Sequence, residues 1–160
     1  MTGLGSPFAI QYLYETLDKL GEEDRIIASI RENYQPMLDL GATTVWESFS
    51  TGTTGSGEWP TRSHCHAWSS SPMLYFNRIL LGIRPTSPGF ATCNVSPRPN
   101  GLTHAKGFAC TPRGKLHVSW AIEGDTLAIE TKAPPGIQPA FLGNESLAGL
   151  SVTWNGEDVA

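Results

Sequence analysis

The segment Leu81-Gly-Ile-Arg-Pro-Thr-Ser-Pro-Gly-Phe90 lies where the residue pattern of the chain changes. Before it, apolar residues recur at helical spacing, and after it apolar and polar residues alternate as they do in half-buried strands. Pro85 and Pro88 oppose the continuation of either pattern, because proline fixes φ and lacks a backbone N–H. The sequence therefore predicts a segregated α+β chain, helical over residues 1–84 and β-rich over residues 85–160.

The upstream region begins with the pattern of a helical hairpin. Ser6-Pro7 combines an N-cap residue with a first-turn proline, and apolar residues follow at helical spacing until Gly21. The acidic residues at 22–24 favour the start of a second helix, which is predicted to continue to about Tyr34. Helix is predicted to resume between residues 64 and 81, with Pro72 either starting or kinking it.

These helices carry more apolar surface than they can bury on one another. Two explanations remain open: the helices lie on the β-rich region, or they pack on further helices of a larger domain. The second explanation is the more economical. The residues concerned are Phe8, Ile10, Leu13, Leu17, Ile26, Ile27, Leu38, Phe49, Leu74, Phe76 and Leu80.

The downstream region reads as a small antiparallel β-sandwich. Residues 91–95, 115–120 and 126–130 alternate apolar and polar side chains, and Gly124-Asp125 supplies a tight turn between two of them. Residues 103–110 and 150–154 are weaker strand candidates. Short strands separated by proline and glycine are typical of sandwiches, and Trp120 and Trp154 are expected in the core.

The bulk composition excludes several classes of partner. The chain has 160 residues and a net charge of −4, which gives no reason to expect nucleic acid or an anionic membrane. An apolar run of about 20 residues, the length of a membrane span, does not occur. Three cysteines without a CxxC pair argue against a disulfide framework, and Cys65 is expected to be a buried small hydrophobe.

Chemistry-bearing residues concentrate in two stretches, Gly41-Ala-Thr-Thr-Val-Trp-Glu-Ser48 and Trp59-Pro-Thr-Arg-Ser-His-Cys-His-Ala-Trp68. Indole rings stack on the apolar faces of sugars, and a carboxylate can activate water or protonate a leaving group. The combination indicates carbohydrate processing. Glycoside hydrolysis normally needs two carboxylates, whereas these stretches offer Glu47 alone.

Other readings of the same residues are weaker. His64, Cys65 and His66 are too close in sequence to converge on one metal centre, and no second Cys/His cluster accompanies them. The glycine-rich stretch 52–57 lacks the Gly-Lys-Ser/Thr ending of a phosphate loop. The sequence therefore predicts neither a metal nor another cofactor.

Four segments, in order, resemble the C-terminal part of bacterial and fungal α-L-rhamnosidases: the Gly41–Ser48 stretch, Ser63-His-Cys-His-Ala-Trp-Ser-Ser-Ser-Pro72, Leu81–Phe90, and Thr111-Pro-Arg-Gly114 with the preceding Lys106-Gly. The resemblance implies the terminal helices of an (α/α)6-barrel catalytic domain followed by a small β-sandwich. It also implies an inverting hydrolase that removes terminal α-L-rhamnosyl residues from glycans or glycosides.

The resemblance assigns roles to individual residues. Glu47 matches the family's general base, His66 matches a histidine near the sugar hydroxyls, and Trp46 would wall the pocket. Trp59 and Trp68 are further candidates for substrate binding. The general acid of the family lies far upstream, so the expected partners are a rhamnose-containing oligosaccharide or glycoside and the missing N-terminal part of the barrel.

The expectation is a chain that supplies the base, lacks the acid and is inactive alone. Two alternatives remain open: a non-catalytic module that binds rhamnose or other glycans, and a structural module that caps the barrel.

Overall fold

The computed structural model describes residues 6–49, 61 and 63–159. The chain divides into two compact units, Met1–Tyr75 and Phe76–Ala160, each with its own apolar core. The first is helical and the second contains both β-sheets, which confirms the segregated α+β class. Among the described helices, none has the length and apolar character needed to cross a bilayer.

The helical unit opens with the predicted hairpin. Helix α1 covers Pro7–Lys19, and the Ser6 hydroxyl accepts a hydrogen bond from the Phe8 N–H at 3.2 Å. The helix ends in a Schellman motif, in which the Glu22 N–H donates to the Leu17 carbonyl at 2.9 Å. Gly21 takes the left-handed conformation that this motif requires, with φ +74°.

Helix α2 covers Glu23–Asp39 and therefore extends beyond its predicted end near Tyr34. The extension follows burial, because Tyr34 and Met37, three positions apart, are both covered by the unit's core. A second Schellman motif ends α2: the Ala42 N–H donates to the Met37 carbonyl at 2.9 Å and Gly41 has φ +80°. Both predicted helices are confirmed.

The core of the helical unit is organised around Tyr14, which is fully buried. Its hydroxyl donates to the Ser29 hydroxyl at 3.1 Å, and its ring meets Tyr75 edge-on at 5.4 Å between centroids. Burial raises the pKa of Tyr14 above its ordinary value. The hydroxyl therefore stays a donor and fastens α1 to α2.

The third predicted helix is broken into three short pieces. A 3₁₀ turn covers Ala67–Ser69, helix α3 covers Ser71–Tyr75 and a π-helical turn covers Phe76–Leu80. Pro72 lies in the first turn of α3, where its missing N–H costs no hydrogen bond, so it starts the helix rather than kinking it. The prediction that helix resumes between residues 64 and 81 is confirmed, although the segment is not one regular α-helix.

The second unit is a two-sheet sandwich. One sheet has the order β1-β2-β6, and the other has the order β3-β4-β5-β7-β8. The strands are β1 Ile83–Pro85, β2 Thr92–Val95, β3 His104–Thr111, β4 Gly114–Glu123, β5 Thr126–Lys132, β6 Gln138–Phe141, β7 Ser151–Trp154 and β8 Glu157–Asp158. Most pairs are antiparallel, but β2 pairs with β6, and β5 with β7, in parallel. Trp120 is in the core as predicted, whereas Trp154 is half-buried at its margin.

Two residues fix the chain where it enters the sandwich. The Trp120 indole N–H donates to the Leu80 carbonyl at 2.7 Å, which satisfies a carbonyl at the end of the π-helical turn. Gly82 follows with φ +72°, and a Cβ there would overlap the backbone of Ser96 and Pro97. The Ser96 N–H also donates to the Gly82 carbonyl at 3.0 Å, so the two segments cannot separate to make room.

Gly82→Ala is therefore expected to destabilise the sandwich by about 3 kcal/mol or more, since it adds a backbone clash to left-handed strain. Gly124→Ala is the matched control, because Gly124 has φ +59° but nothing within 4 Å of the added carbon. It should cost only about 1 kcal/mol. Denaturant unfolding followed by Trp fluorescence measures both, and equal losses would contradict the packing argument.

Candidate functional site

The two chemistry-bearing stretches lie side by side in the helical unit. The Glu47 N–H donates to the Ser63 carbonyl at 3.0 Å, and the His66 N–H donates to the Val45 carbonyl at 2.9 Å. The Thr44 hydroxyl also donates to the His64 carbonyl. The main chain thus brings the segment of Glu47 against the segment of His66, although 18 residues of sequence lie between them.

Glu47 is half-buried between two aromatic anchors. Trp46 on one side is 4% exposed and Phe49 on the other is 7% exposed. The Ser48 N–H donates to the buried hydroxyl of Thr61 at 3.1 Å, which fixes the chain directly after the carboxylate residue. The backbone of Glu47 is consequently held in place while its side chain keeps access to solvent.

Tyr34 connects these anchors to α2 and to the Ala67–Ser69 turn. Its ring packs edge-on against Phe49 at 5.2 Å, and its hydroxyl donates to the Ser69 carbonyl at 3.1 Å. Burial raises the pKa of Tyr34 to about 12, so the hydroxyl remains a donor at neutral pH. One buried side chain therefore supports both the carboxylate segment and the turn that carries Trp68.

A row of aromatic rings extends from His66 across the surface of the unit. The Trp68 ring is edge-on to His66 at 5.6 Å and lies 4.9 Å from Phe8, which in turn contacts Tyr12 at 5.7 Å. Trp68 is 64% exposed and His66 is half-buried. Exposed indole and phenyl rings beside an imidazole donor suit the apolar face and hydroxyl groups of a sugar.

The structure brings together some of the predicted site residues but not all of them. Glu47, Trp46 and His66 lie on the paired segments, and Trp68 contacts His66. Trp46 is packed inside the unit, with its ring 5.0 Å from that of His64, so its role as a pocket wall stays a prediction. Trp59 lies outside the described residues.

The prediction of a buried Cys65 was wrong. Cys65 is exposed, because its segment is held by main-chain hydrogen bonds and not by packing of its side chains. Within the described residues, no three His, Cys, Asp or Glu side chains are grouped as a metal site would require.

Two contributors were missed by sequence reasoning. Phe8 was assigned to the apolar face of α1, yet it is 38% exposed and contacts Trp68. Thr61 carries no motif that marks it, and only the fold shows that its hydroxyl is buried under Ser48. The placement of Phe8 at the very start of α1, away from the centre of the helix, was the available signal.

Models of known families match most of the chain. The 6 hairpin glycosidase domain of bacterial alpha-L-rhamnosidase matches residues 2–80, and the C-terminal domain of bacterial alpha-L-rhamnosidase matches residues 82–140. The two matches meet between residues 80 and 82, at the end of the π-helical turn.

Individual relatives agree with the family models. An alpha-L-rhamnosidase from Formosa agariphila is 30% identical over 140 residues, covering 82% of this chain and 15% of the relative. The crystal structure of a family GH78 rhamnosidase from Bacillus sp. GL1 is 35% identical, with a TM-score of 0.78 over 94% of this chain and 16% of that one.

A Streptomyces avermitilis alpha-L-rhamnosidase complexed with L-rhamnose shares the fold at 20% identity, with a TM-score of 0.69 over 82% of this chain and 13% of that one. The chain spans about 15% of the length of the curated relatives it matches. It belongs to the alpha-L-rhamnosidase family of glycoside hydrolases, and it corresponds to the C-terminal part of those enzymes.

Proposed function

We propose that this chain supplies the general base and one wall of the active site of an inverting α-L-rhamnosidase. The observation that carries the proposal is the setting of Glu47, a half-buried carboxylate held between buried aromatic anchors and paired with the segment of His66. Residues 1–84 would then belong to the catalytic domain and residues 85–160 to the C-terminal β-sandwich domain.

The chemistry follows from one carboxylate on each side of the scissile bond. Glu47 takes a proton from a water molecule, and the oxygen of that water attacks the anomeric carbon from the face opposite the departing group. A carboxylic acid protonates the glycosidic oxygen as its bond to the sugar breaks. Inverting pairs are separated by roughly 6.5–9.5 Å to leave room for the water.

The acid is proposed to come from another part of the catalytic domain. Apart from Glu47, the described carboxylates of the helical unit lie on α1 or α2 or in the turn between them. Glu15, for example, is on the surface in an ion pair with Lys19 at 3.0 Å. A carboxylate that is exposed to solvent and paired in this way does not face the segment of Glu47, so it is not placed to protonate the departing oxygen.

The exposed apolar side chains of the helical unit support packing against further helices. Apart from the rings of the aromatic row, large hydrophobic residues at the ends of α1 and α2 and on α3 remain exposed by a third or more: Leu20, Leu38, Leu40, Met73 and Leu74. Exposed apolar area on this scale is typical of an interface. We assign it to the remaining helices of an (α/α)6 barrel, the second partner of this chain besides a terminal rhamnosyl group.

Glu47→Gln is the direct test, in a chimera where this chain replaces the matching segment of the Bacillus sp. GL1 relative. On an aryl α-L-rhamnoside, loss of a true base should lower kcat by about 10²–10⁴-fold. Azide needs no deprotonation, so it should restore turnover and yield a rhamnosyl azide of inverted configuration. The anomer formed is read by NMR.

Glu15→Gln is the matched control, because it removes an equal charge from the surface of the same unit. It should leave kcat unchanged. Undiminished activity of the Glu47→Gln chimera would refute the base assignment. Loss of activity without azide rescue would assign Glu47 a positioning role instead.

The exposed ring row favours a second candidate, sugar binding without cleavage. In that case Trp68, His66 and Phe8 form a platform that binds rhamnose in this chain alone. Trp68→Ala would then weaken rhamnose binding roughly three- to tenfold, the value of one stacked ring, while Met73→Ala would not. Calorimetric titration of the 160-residue chain with L-rhamnose measures this, and the absence of heat at millimolar sugar removes the candidate.

A further inference from the structure

The outer face of the five-stranded sheet carries a groove that the proposed catalytic role does not use. Its floor is the row Gly107, Val118 and Thr131, which are neighbours across β3, β4 and β5 and whose side chains turn toward the inner face. Its volume is about 190 Å³. A depression of this size, open to solvent, has room for about one sugar ring and not for a folded partner.

The walls of the groove are the outward-pointing residues on either side of that floor. Lys106, Ser119 and Glu130 form one wall, and His117 and Lys132 belong to the other. Side chains two positions apart on a strand are separated by roughly 7 Å, so a ligand ring that lies on the floor can contact both walls at once. All of these residues except Ser119 are exposed.

Phe108 continues the second wall beyond His117. It is 41% exposed, its ring lies 5.7 Å from that of His117, and the ammonium of Lys115 lies 4.0 Å from its centroid. The contact with Lys115 is a cation–π interaction, which fixes the ring and keeps the charge beside it. An apolar surface therefore stands next to cationic groups at the end of the groove.

The charge around this groove is opposite in sign to the net charge of the chain. The chain has four lysines and a net charge of −4, and three of the lysines, Lys106, Lys115 and Lys132, lie on this one face. Glu130 is the single acidic residue in the groove walls. Glu123 and Asp158 are on the same face but outside the groove, at the end of β4 and on β8, so only the groove and its Phe108 end are locally cationic and favour an anionic ligand.

We propose that this groove binds an acidic oligosaccharide, one whose sugar residues carry carboxylates. The lysines pair with the carboxylates, Ser119, His117 and Glu130 hydrogen-bond the hydroxyls, and Phe108 offers apolar contact to a ring. The aromatic side chain and the hydroxyl-binding groups favour a sugar over an acidic peptide. Glu130 between the lysines disfavours a densely charged polyanion.

The test is titration of the 160-residue chain with a tetramer of α-1,4-linked galacturonic acid. Saturable binding is expected, and it should weaken as salt is raised because exposed charges are screened. Chemical shifts should move on β3, β4 and β5 and not around Glu47. Lys106→Ala with Lys132→Ala should weaken binding about tenfold, each exposed ion pair contributing roughly threefold.

Lys19→Ala with Arg25→Ala is the matched control, because it removes the same charge from exposed positions of the helical unit. Its affinity should stay that of the unaltered chain. An absence of saturable binding overturns the proposal, as does an equal loss in the control pair. Equal binding of the neutral α-1,4-linked glucose tetramer overturns the role of charge, and equal binding of tetraglutamate overturns the sugar assignment.

Discussion

The architecture depends on glycines that end a helical segment and redirect the chain into the next element. Gly21, Gly41 and Gly82 all have positive φ, and each lies one or two residues beyond a helical segment. At the first two, the Schellman motif satisfies carbonyls that the helix end would leave unpaired. Gly41 directs the chain into the Glu47 segment, and Gly82 directs it into β1. The candidate-site segment and the sandwich therefore each begin just after a glycine that has positive φ.

At the candidate site, the main chain around Glu47 is held by hydrogen bonds and buried neighbours, while the Glu47 side chain is only half-buried. Trp46 and Phe49 are buried on either side of Glu47, and the Thr61 hydroxyl holds Ser48. The base proposed at Glu47 needs a precise position, which buried neighbours give, and access to water, which deeper burial would remove. Half-burial between buried neighbours is compatible with both requirements, whereas an isolated surface carboxylate meets only the second.

Periodicity predicted the helical hairpin and the longer strands because those elements have one apolar face each. It failed where tertiary contacts decide. Helix α2 runs past Tyr34 because Met37 is also buried, and the segment after His66 breaks into three pieces around Pro72. Strands β1 and β8, of three and two residues, are too short to show alternation, and a proline lies inside β6.

The candidate site residues could be proposed from residue types, but the pairing of their segments could not be predicted. The sequence motifs identified Glu47 and His66 as candidates. The contact of Phe8 with Trp68, and the hydrogen bond from the Ser48 N–H to the Thr61 hydroxyl, become visible only in the fold. Neither leaves a local signature, because each depends on a partner far away in the sequence.

The sugar sites proposed on the two units would use different interactions. In the helical unit the exposed rings would act by stacking on the apolar face of a sugar, an interaction that depends little on salt. The outer face of the sheet relies on lysines, whose influence extends about 8 Å at physiological ionic strength. Because charges farther away are screened, the lysines can attract an acidic glycan locally even though the net charge of the chain is −4.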